Sequence, residues 1–452
     1  MAQGKQVSIS LILLDAFVVV LVFNLTGYAR GVINPEAPLL MALELPVLAH
    51  LLSVYLIDGY NPRTDMMSIT YTSLHIISLL AALLVTLLLT YAFIPAGFTL
   101  QTSRFVTLVS CLSVIPITLV YRRFFYQRQI ARRLKRYFLF LGNQESSLAF
   151  KEECRKNQMT QDVLYATHDT FVRPDEPSTA PFGNIINYLE EYAGRIEAVI
   201  IRESSADLPA PVAQRLMELQ FSGVPTYTLE LFHQVYWRKI PLYRLNQTWL
   251  FQEGFQIARE PVFERLKRVA DILLSLTGLV LFVPIFPILA ALIWLSDRGP
   301  ILFRQPRVGR NRIVFDAIKL RTMHLHTTGD AYTREGDTRI THIGKFLRTS
   351  RLDELPQLWN VLRGDMSLIG PRAEWVKLVD EYERQIPCYH FRHLVKPGIT
   401  GWAQVNYPYG ANLEDTLRKL EYDLYYIRYY SLVLDASIVL KTIQVMLFGK
   451  GR

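Results

Sequence analysis

Apolar residues cluster at the start of this chain. They form four long runs in the first 121 residues, roughly Ser8–Tyr28, Pro38–Ile57, Ser68–Ile94 and Arg104–Tyr121. Each is near the roughly 20 residues a helix needs to cross a bilayer core, so the pattern predicts four transmembrane helices over residues 1–121. The first run carries Asp15 and three more runs follow it, which argues against a cleaved signal peptide. From Tyr137 the pattern changes to short apolar runs separated by amphipathic stretches. Tyr137–Leu141, Ala198–Ile201 and Val224–Leu229 read as strands and Pro211–Gln220 as a helix, predicting a small α/β domain over residues 137–260. A dinucleotide site needs G-x-G-x-x-G after the first strand, because only glycine lets backbone amides approach a pyrophosphate. Here the turn reads Gly142-Asn143-Gln144-Glu145-Ser146-Ser147. The expected fold is Rossmann-like without the dinucleotide motif, serving assembly or regulation.

A fifth apolar run, Val269–Ser296, is long enough to span but holds Pro284 and Pro287 at its centre. Proline removes a helix hydrogen bond and bends the axis. Both flanks are basic, with Arg265, Lys267 and Arg268 before the run and Arg298, Arg304 and Arg307 after it. The positive-inside rule places both ends in the cytoplasm. The pattern therefore predicts a re-entrant membrane helix over residues 261–297, broken at Pro284. A kinked span is the alternative.

Composition narrows the choices. The chain has 452 residues, 50% of them hydrophobic and 20% charged, which excludes a disordered protein. Its three cysteines, Cys111, Cys154 and Cys388, lack CxxC spacing, so a disulfide scaffold is excluded and three reduced, buried thiols are expected. The net charge is +9, and its distribution matters more than its size. Seven basic and no acidic residues lie in Tyr121–Arg136. Directly after a span, that stretch reads as a juxtamembrane segment, residues 122–136, touching anionic headgroups rather than nucleic acid. It also places the N-terminus and the soluble domains in the cytoplasm. Asp15, close to a helix end, reads as a residue able to snorkel. A second excess lies in residues 298–452, with 24 Lys and Arg against 16 Asp and Glu, which suits an anionic substrate.

The densest polar motif runs from Arg348 to Leu362. Leu355, Leu358, Trp359 and Leu362 recur at helical spacing, predicting a helix from near Asp353. Asp353 then caps the helix, Glu354 opens it, and Pro356 sits in the first turn, where its missing N–H costs nothing. The positive helix end favours carboxylates and also phosphate, and an ordinary acidic cap is the plain alternative. Arg348 and Arg351 precede the pair and Gly364–Arg372 follows it. Such company suggests metal-assisted phosphoryl chemistry. His324 and His326 lack zinc-site spacing. The aromatic-rich stretch Tyr422–Tyr430 fits either a membrane interface or packing on the catalytic core.

Several ordered stretches carry a resemblance: Gly299–Arg310, Lys319–Met323, Thr338–Arg348, Leu352–Gln357 and Lys396–Asn406. From about Glu264 onward the chain resembles the bacterial polyprenyl-phosphate glycosyl-1-phosphate transferases, the large monotopic phosphoglycosyl transferases of exopolysaccharide synthesis. The resemblance implies a catalytic α/β domain over residues 298–452. It implies transfer of a sugar 1-phosphate from a UDP-sugar to undecaprenyl phosphate, with Mg²⁺ as cofactor. In that family pattern Asp353 is the nucleophile and a metal contact, forms an aspartyl-phosphosugar and releases UMP. Glu354 matches the second acid of the dyad. Arg348 and Arg372 match phosphate-contacting positions, and Lys319 and Arg321 lie in a basic strand near the site. Asp423 and Asp435 match recurrent acidic positions counted with the substrate-binding set, a structural salt bridge being the alternative for each. The implied setting is the bacterial inner membrane, with UDP-sugar, undecaprenyl phosphate and membrane lipids as partners. Homo-oligomers and downstream glycosyltransferases are further partners left open. The chain departs from the family at Ala373, where proline is usual, and at Val283, where serine commonly precedes the breaking proline. A catalytically silent scaffold and a glycosyltransferase releasing UDP are the competing functions.

Overall fold

The computed structural model describes residues 2–32, 43–61, 64–93, 103–130, 136–157, 159, 161–167, 179–181, 189–192, 194–202, 210–242, 261–324, 339–407 and 412–448. The chain divides into two units, one comprising residues 1–133 with 431–450, the other chiefly residues 134–430.

The first unit is helical. It contains α1 (Ala2–Ala29), α2 (Glu44–Leu56), α3 (Ile69–Leu88), α4 (Arg104–Ile130) and the C-terminal helix Leu432–Phe448. Among the described residues three of its helices are long and apolar enough to cross a membrane, at Ile9–Ala29, Ile69–Tyr91 and Arg104–Arg128. These mark a membrane-bound protein. The second expected span is described as a 13-residue helix, shorter than a bilayer core requires, and residues 38–42 of that run lie outside the described residues. Helix α4 runs on through the first basic residues to Ile130, while residues 131–135 of the juxtamembrane stretch lie outside the described residues.

Two expectations are corrected here. Asp15 does not snorkel, and Arg122 is no headgroup contact. Both are fully buried and form an ion pair. Tyr60 and Tyr121 donate to the same carboxylate, and the Arg122 guanidinium also donates to the Gly59 carbonyl at 2.5 Å. A charge inside a helical bundle is stable only with a partner, and α4 supplies the partner directly after its apolar run. Asp435 sits in the first turn of the C-terminal helix, is buried, and belongs to this same unit. That helix meets α3 where Ser73 and Ser437 hydroxyls are 2.9 Å apart.

The second unit begins with β1 (Tyr137–Gly142), α5 (Gln144–Lys156), β2 (Asp162–Thr167), β3 (Thr179–Pro181), β4 (Ile196–Ile201), α6 (Ala210–Phe221) and β5 (Thr226–Thr228). The strands form one parallel sheet in the order β3-β2-β1-β4-β5, with Phe140 opposite Tyr165 on one side and Ile200 on the other. Two apolar layers flank it. Leu139, Leu141 and Val199 pack against Val212 and Leu216 on one face, and Phe138, Phe140 and Ile200 against Phe150 and Phe232 on the other. Side chains alternate across the sheet, so a run of apolar residues feeds both layers. Cys154 is buried in the second layer, whereas Cys111 and Cys388 are only half-buried, contrary to expectation.

The bent pair α7 (Pro261–Phe282) and α8 (Phe286–Asp297) follows, its axes 62° apart. Pro284 lies in the break and Pro287 in the first turn of α8, where no N–H is needed. Polarity is inverted on α7. Lys267, Asp271 and Ser275 are buried against the protein, while Val262, Leu266, Val269, Leu273 and Val280 are exposed. The remainder of this unit contains the antiparallel hairpin β6 (Leu302–Val308) and β7 (Val314–Leu320), then α9 (His342–Thr349) and α10 (Gln357–Arg363). Strand β8 (Ser367–Ile369) pairs in parallel with β9 (Gly398–Thr400). Helix α11 (Val376–Gln385), the short α12 (Trp402–Asn406) and α13 (Leu413–Arg428) complete it.

Candidate active site

The expected helix from Asp353 is not formed. Arg351 takes a left-handed conformation (φ 59°), and a 3₁₀ turn, Leu352–Glu354, follows it. Helix α10 starts only at Gln357, with Pro356 at its cap. Asp353 therefore does not cap a helix. The left-handed residue, uncommon for a side chain with a Cβ, turns the chain so that Asp353 and Glu354 both point inward. They are 7% and 8% exposed.

Their surroundings differ. Lys319 Nζ, from the end of β7, lies 2.9 Å from Glu354 Oε1. Arg372 NH1 lies 3.6 Å from the same oxygen, and Arg351 NH1 3.6 Å from Glu354 Oε2. Burial acts to raise the Glu354 carboxyl, but Lys319, Arg372 and Arg351 outweigh it and hold it down at about 2. Burial lowers the Lys319 ammonium, with Glu354 opposing. Asp353 is pushed up, first by burial and then by the charge of Glu354, against Lys319, Arg348 and Arg351. Its Oδ1 is buried and accepts no hydrogen bond among the described residues. The arrangement leaves one carboxylate committed to cations and a neighbour with an oxygen to spare.

Other residues fix this geometry. Asn360 is fully buried; its Oδ1 accepts from the Ile318 N–H at 3.1 Å and its Nδ2 donates to the Asp316 carbonyl at 2.8 Å. It thereby ties α10 to the strand that carries Lys319. Arg268 of α7 donates to the Val361 and Leu362 carbonyls at 2.6 and 2.7 Å, filling the C-terminal end of α10. Asp271 accepts from the Ser367 hydroxyl and the Leu368 N–H, at 3.1 and 3.0 Å. The bent helix pair is thus bonded to both sides of the site.

The site residues expected from sequence divide into three groups. Asp353, Glu354, Lys319 and Arg372 come together. Arg348 stands beside them, its Nε donating to Thr322 Oγ1 at 2.9 Å while its charge reaches Asp353. The others serve elsewhere. Arg321 is buried with its guanidinium directed to the Ile293 carbonyl of α8, at 3.4 Å. Asp423 is 1% exposed and accepts from Arg392 at 2.8 Å through Oδ2, while its buried Oδ1 accepts no hydrogen bond among the described residues; burial pushes it up to about 6 against the pull of Arg392. Arg392 in turn donates to the Arg372 carbonyl at 3.0 Å, making Asp423 a support for Arg372. Asp435 lies in the helical unit. Tyr422–Tyr430 packs inward, with the Tyr426 hydroxyl donating to the Ile369 carbonyl at 3.3 Å.

At the end of β1 the Asn143 side chain accepts from the Ser146 N–H at 2.9 Å and from Arg202 at 2.7 Å. The chain's own amide thus fills the helix start where a dinucleotide phosphate would bind. Among the described residues no group of three or more His, Cys, Asp and Glu side chains has metal-binding geometry.

A profile for bacterial sugar transferases matches residues 262–449, the bent helices and the catalytic fold together. A UDP-glucose:undecaprenyl-phosphate glucose-1-phosphate transferase of Caulobacter vibrioides is 42% identical over 185 residues, 40% of this chain and 69% of that protein. The chain belongs to the bacterial sugar transferase family. An exopolysaccharide production protein PSS of Rhizobium leguminosarum is 40% identical over 195 residues, 41% of this chain and 98% of its own length. A UDP-N-acetylgalactosamine-undecaprenyl-phosphate N-acetylgalactosaminephosphotransferase of Aeromonas hydrophila is 39% identical over 261 residues, 57% of this chain. That match spans 61% of the Aeromonas protein. The match to a Klebsiella pneumoniae glucose-1-phosphate transferase spans 39% of that protein.

Proposed function

We propose that this member of the family transfers a sugar 1-phosphate from a UDP-sugar to undecaprenyl phosphate at the bacterial inner membrane, as the first membrane step of an exopolysaccharide-type glycan. The observation that carries the reading is the spare, buried Oδ1 of Asp353 beside a Glu354 saturated by cations. An aspartate kept from solvent and pushed up is a better nucleophile once ionised. The Asp353 carboxylate attacks the β-phosphorus of the donor. A P–O bond forms to Oδ1 and the bond to the bridging oxygen breaks, that oxygen leaving with UMP. A phosphate oxygen of undecaprenyl phosphate then attacks the same phosphorus and releases Asp353, leaving the sugar diphosphate on the lipid. Arg372 binds the donor phosphates from the ground state onward, and Arg348 and Lys319 meet the phosphate oxygens as charge develops there. Glu354 holds Lys319 and Arg372 in place.

Mg²⁺ fits the donor set, because it is commonly bound through one or two carboxylates plus substrate phosphates, and the Asp353 carboxylate with the donor diphosphate would hold it. When bound it would neutralise the diphosphate. In this reading the bent pair α7–α8 is a re-entrant hairpin. Its exposed apolar residues face lipid, its polar residues face the protein, and both ends return to the cytoplasm. The apolar run that contains α2 serves as a fourth crossing of the first unit. The α/β domain serves assembly or regulation.

The test uses detergent-extracted protein with Mg²⁺, undecaprenyl phosphate and a panel of UDP-sugars, reading the nucleotide released. UMP with one sugar, lost in Asp353→Asn, supports the transfer and names the donor. UDP as the product would overturn it in favour of glycosyl transfer.

A further inference from the structure

Residues 233–242 leave the α/β sheet and run across the catalytic fold. His233–Trp237 forms a π turn that ends at Arg238 in a left-handed conformation (φ 51°). Lys239, Ile240 and Leu242, just beyond, are buried. This strap is bonded largely through its backbone. The Trp402 indole N–H donates to the Arg238 carbonyl at 2.9 Å. The Ile240 N–H donates to the Glu421 carbonyl at 3.0 Å, and the Leu242 N–H to Glu421 Oε1 at 3.2 Å. Lys239 Nζ lies 3.6 Å from Glu421 Oε2. The Tyr429 hydroxyl donates to Gln234 Oε1 at 3.0 Å. Trp402 and Glu421 are 2% and 0% exposed. A buried carboxylate and a buried indole N–H need partners; the strap supplies the acceptor for the indole and, together with Arg418 NH1 at 3.4 Å from Oε1, the partners of Glu421.

A short chain of backbone contacts leads from Trp402 to the site. Trp402 follows Gly401, where a Cβ would come within 2.1 Å of the Gly370 carbonyl oxygen. The preceding strand residues Gly398 and Thr400 pair with Ser367 and Ile369, and the Gly398 N–H donates to the Pro371 carbonyl at 2.9 Å. Arg372 comes next, and its guanidinium reaches Glu354. These contacts join the turn that carries Trp402 to Pro371, the residue before Arg372, through backbone groups.

We propose that the strap makes the α/β domain a positioning element of the active site, with Trp402 and Glu421 as positioning residues that set Arg372. The proposal rests on the transfer reading above, in which Arg372 meets the donor phosphates. It gives the α/β domain a task that needs no nucleotide of its own. A change in that domain that pulls on residues 233–242 alters donor binding.

The experiment uses the full-length protein in nanodiscs, with Trp402→Phe, which keeps a ring but removes the donor, and Glu421→Gln, which keeps the shape but removes the charge. Two readouts are taken: kcat and KM for the UDP-sugar, and amide hydrogen exchange of peptides covering residues 366–372. Lost ground-state phosphate contact raises KM about 3–10-fold and leaves kcat within about threefold. A variant that merely lost folded protein would lower kcat and leave KM in place. Exchange at 366–372 rises, while β1 and β4 stay protected. Unchanged KM with unchanged exchange in both variants overturns the proposal. If the parent protein transfers nothing with any donor, the transfer reading has failed, and the exchange result alone then decides whether the strap holds the Arg372 loop.

Discussion

Asp15 in the helical unit and Asp353 in the catalytic fold are both carboxylates withdrawn from water, at 0% and 7% exposure. Asp15 receives a guanidinium and two phenol hydroxyls, and its arginine partner has a backbone carbonyl as well. Asp353 has an oxygen that receives nothing among the described residues, although three cations stand near. Those cations are committed chiefly to Glu354, one residue on, or to Thr322. Burial alone therefore does not mark a site. A buried charge whose partners all come from its own bundle clamps helices together, whereas one left with an unfilled valence keeps reactivity for something brought from outside.

The comparison can be broken most sharply at Asp353. Asp353→Asn should reduce transfer by at least about 10³-fold, on the order of 4 kcal/mol in the barrier, with no fall in melting temperature. Retained turnover would remove the nucleophile. Asp15→Asn should do the reverse. It leaves Arg122 buried without its counter-ion, a loss of about 3–5 kcal/mol by removal of one partner. Thermal unfolding in detergent reads this, and the double change Asp15→Leu with Arg122→Met should recover most of it. A single variant as stable as the parent would show that the pair does not clamp the bundle.

How far the sequence revealed this contrast depended on the kind of signal. The Leu352–Gln357 motif located the dyad, because its residue types are unusual together. Its local conformation was hidden, since helical periodicity cannot show a three-residue 3₁₀ turn set off by a left-handed Arg351. Lys319 and Arg321 would share one face of a strand, but β7 ends at Leu320, so Arg321 leaves the ladder and turns to α8. The strands β1 and β4 were legible from apolar runs. Strands β2 and β3 were not, Asp162–Thr167 being mixed in polarity and Thr179–Pro181 only three residues long. Asn360, Arg392 and Arg268 escaped notice as supports of the site for a common reason. Each bonds to backbone groups distant in sequence, which leaves no spacing to detect.

Between the two extremes stands Lys319, a cation that serves the dyad without filling Asp353. Lys319→Met removes the nearest of the three charges that hold the Glu354 carboxyl at about 2. Transfer should fall by roughly 10–100-fold, and the acid limb of the pH–rate profile should move to higher pH, because Lys319 also holds down the raised carboxyl of Asp353. A reduced rate with an unmoved acid limb would mean that Lys319 acts on the substrate alone.

The smallest effect tests whether Asp423 is a support, as Asp15 is, or a group kept for chemistry. It is paired with Arg392 through Oδ2, while its buried Oδ1 accepts nothing among the described residues, and it stands raised from its ordinary 3.8 to about 6, because burial outweighs the guanidinium. The folded state thus favours the protonated acid more than the unfolded chain does. The resulting stability is complete below about pH 4 and is lost as pH rises through about 6. Asp423→Asn removes that dependence whatever it does to the baseline. The melting temperature of the parent, taken relative to the variant, should therefore decline between about pH 4 and 6.5, by on the order of a few degrees, and stay level above. A level difference across the whole range would mean that Arg392 keeps Asp423 ionised throughout, which would make the pair a clamp of the same kind as Asp15 and Arg122.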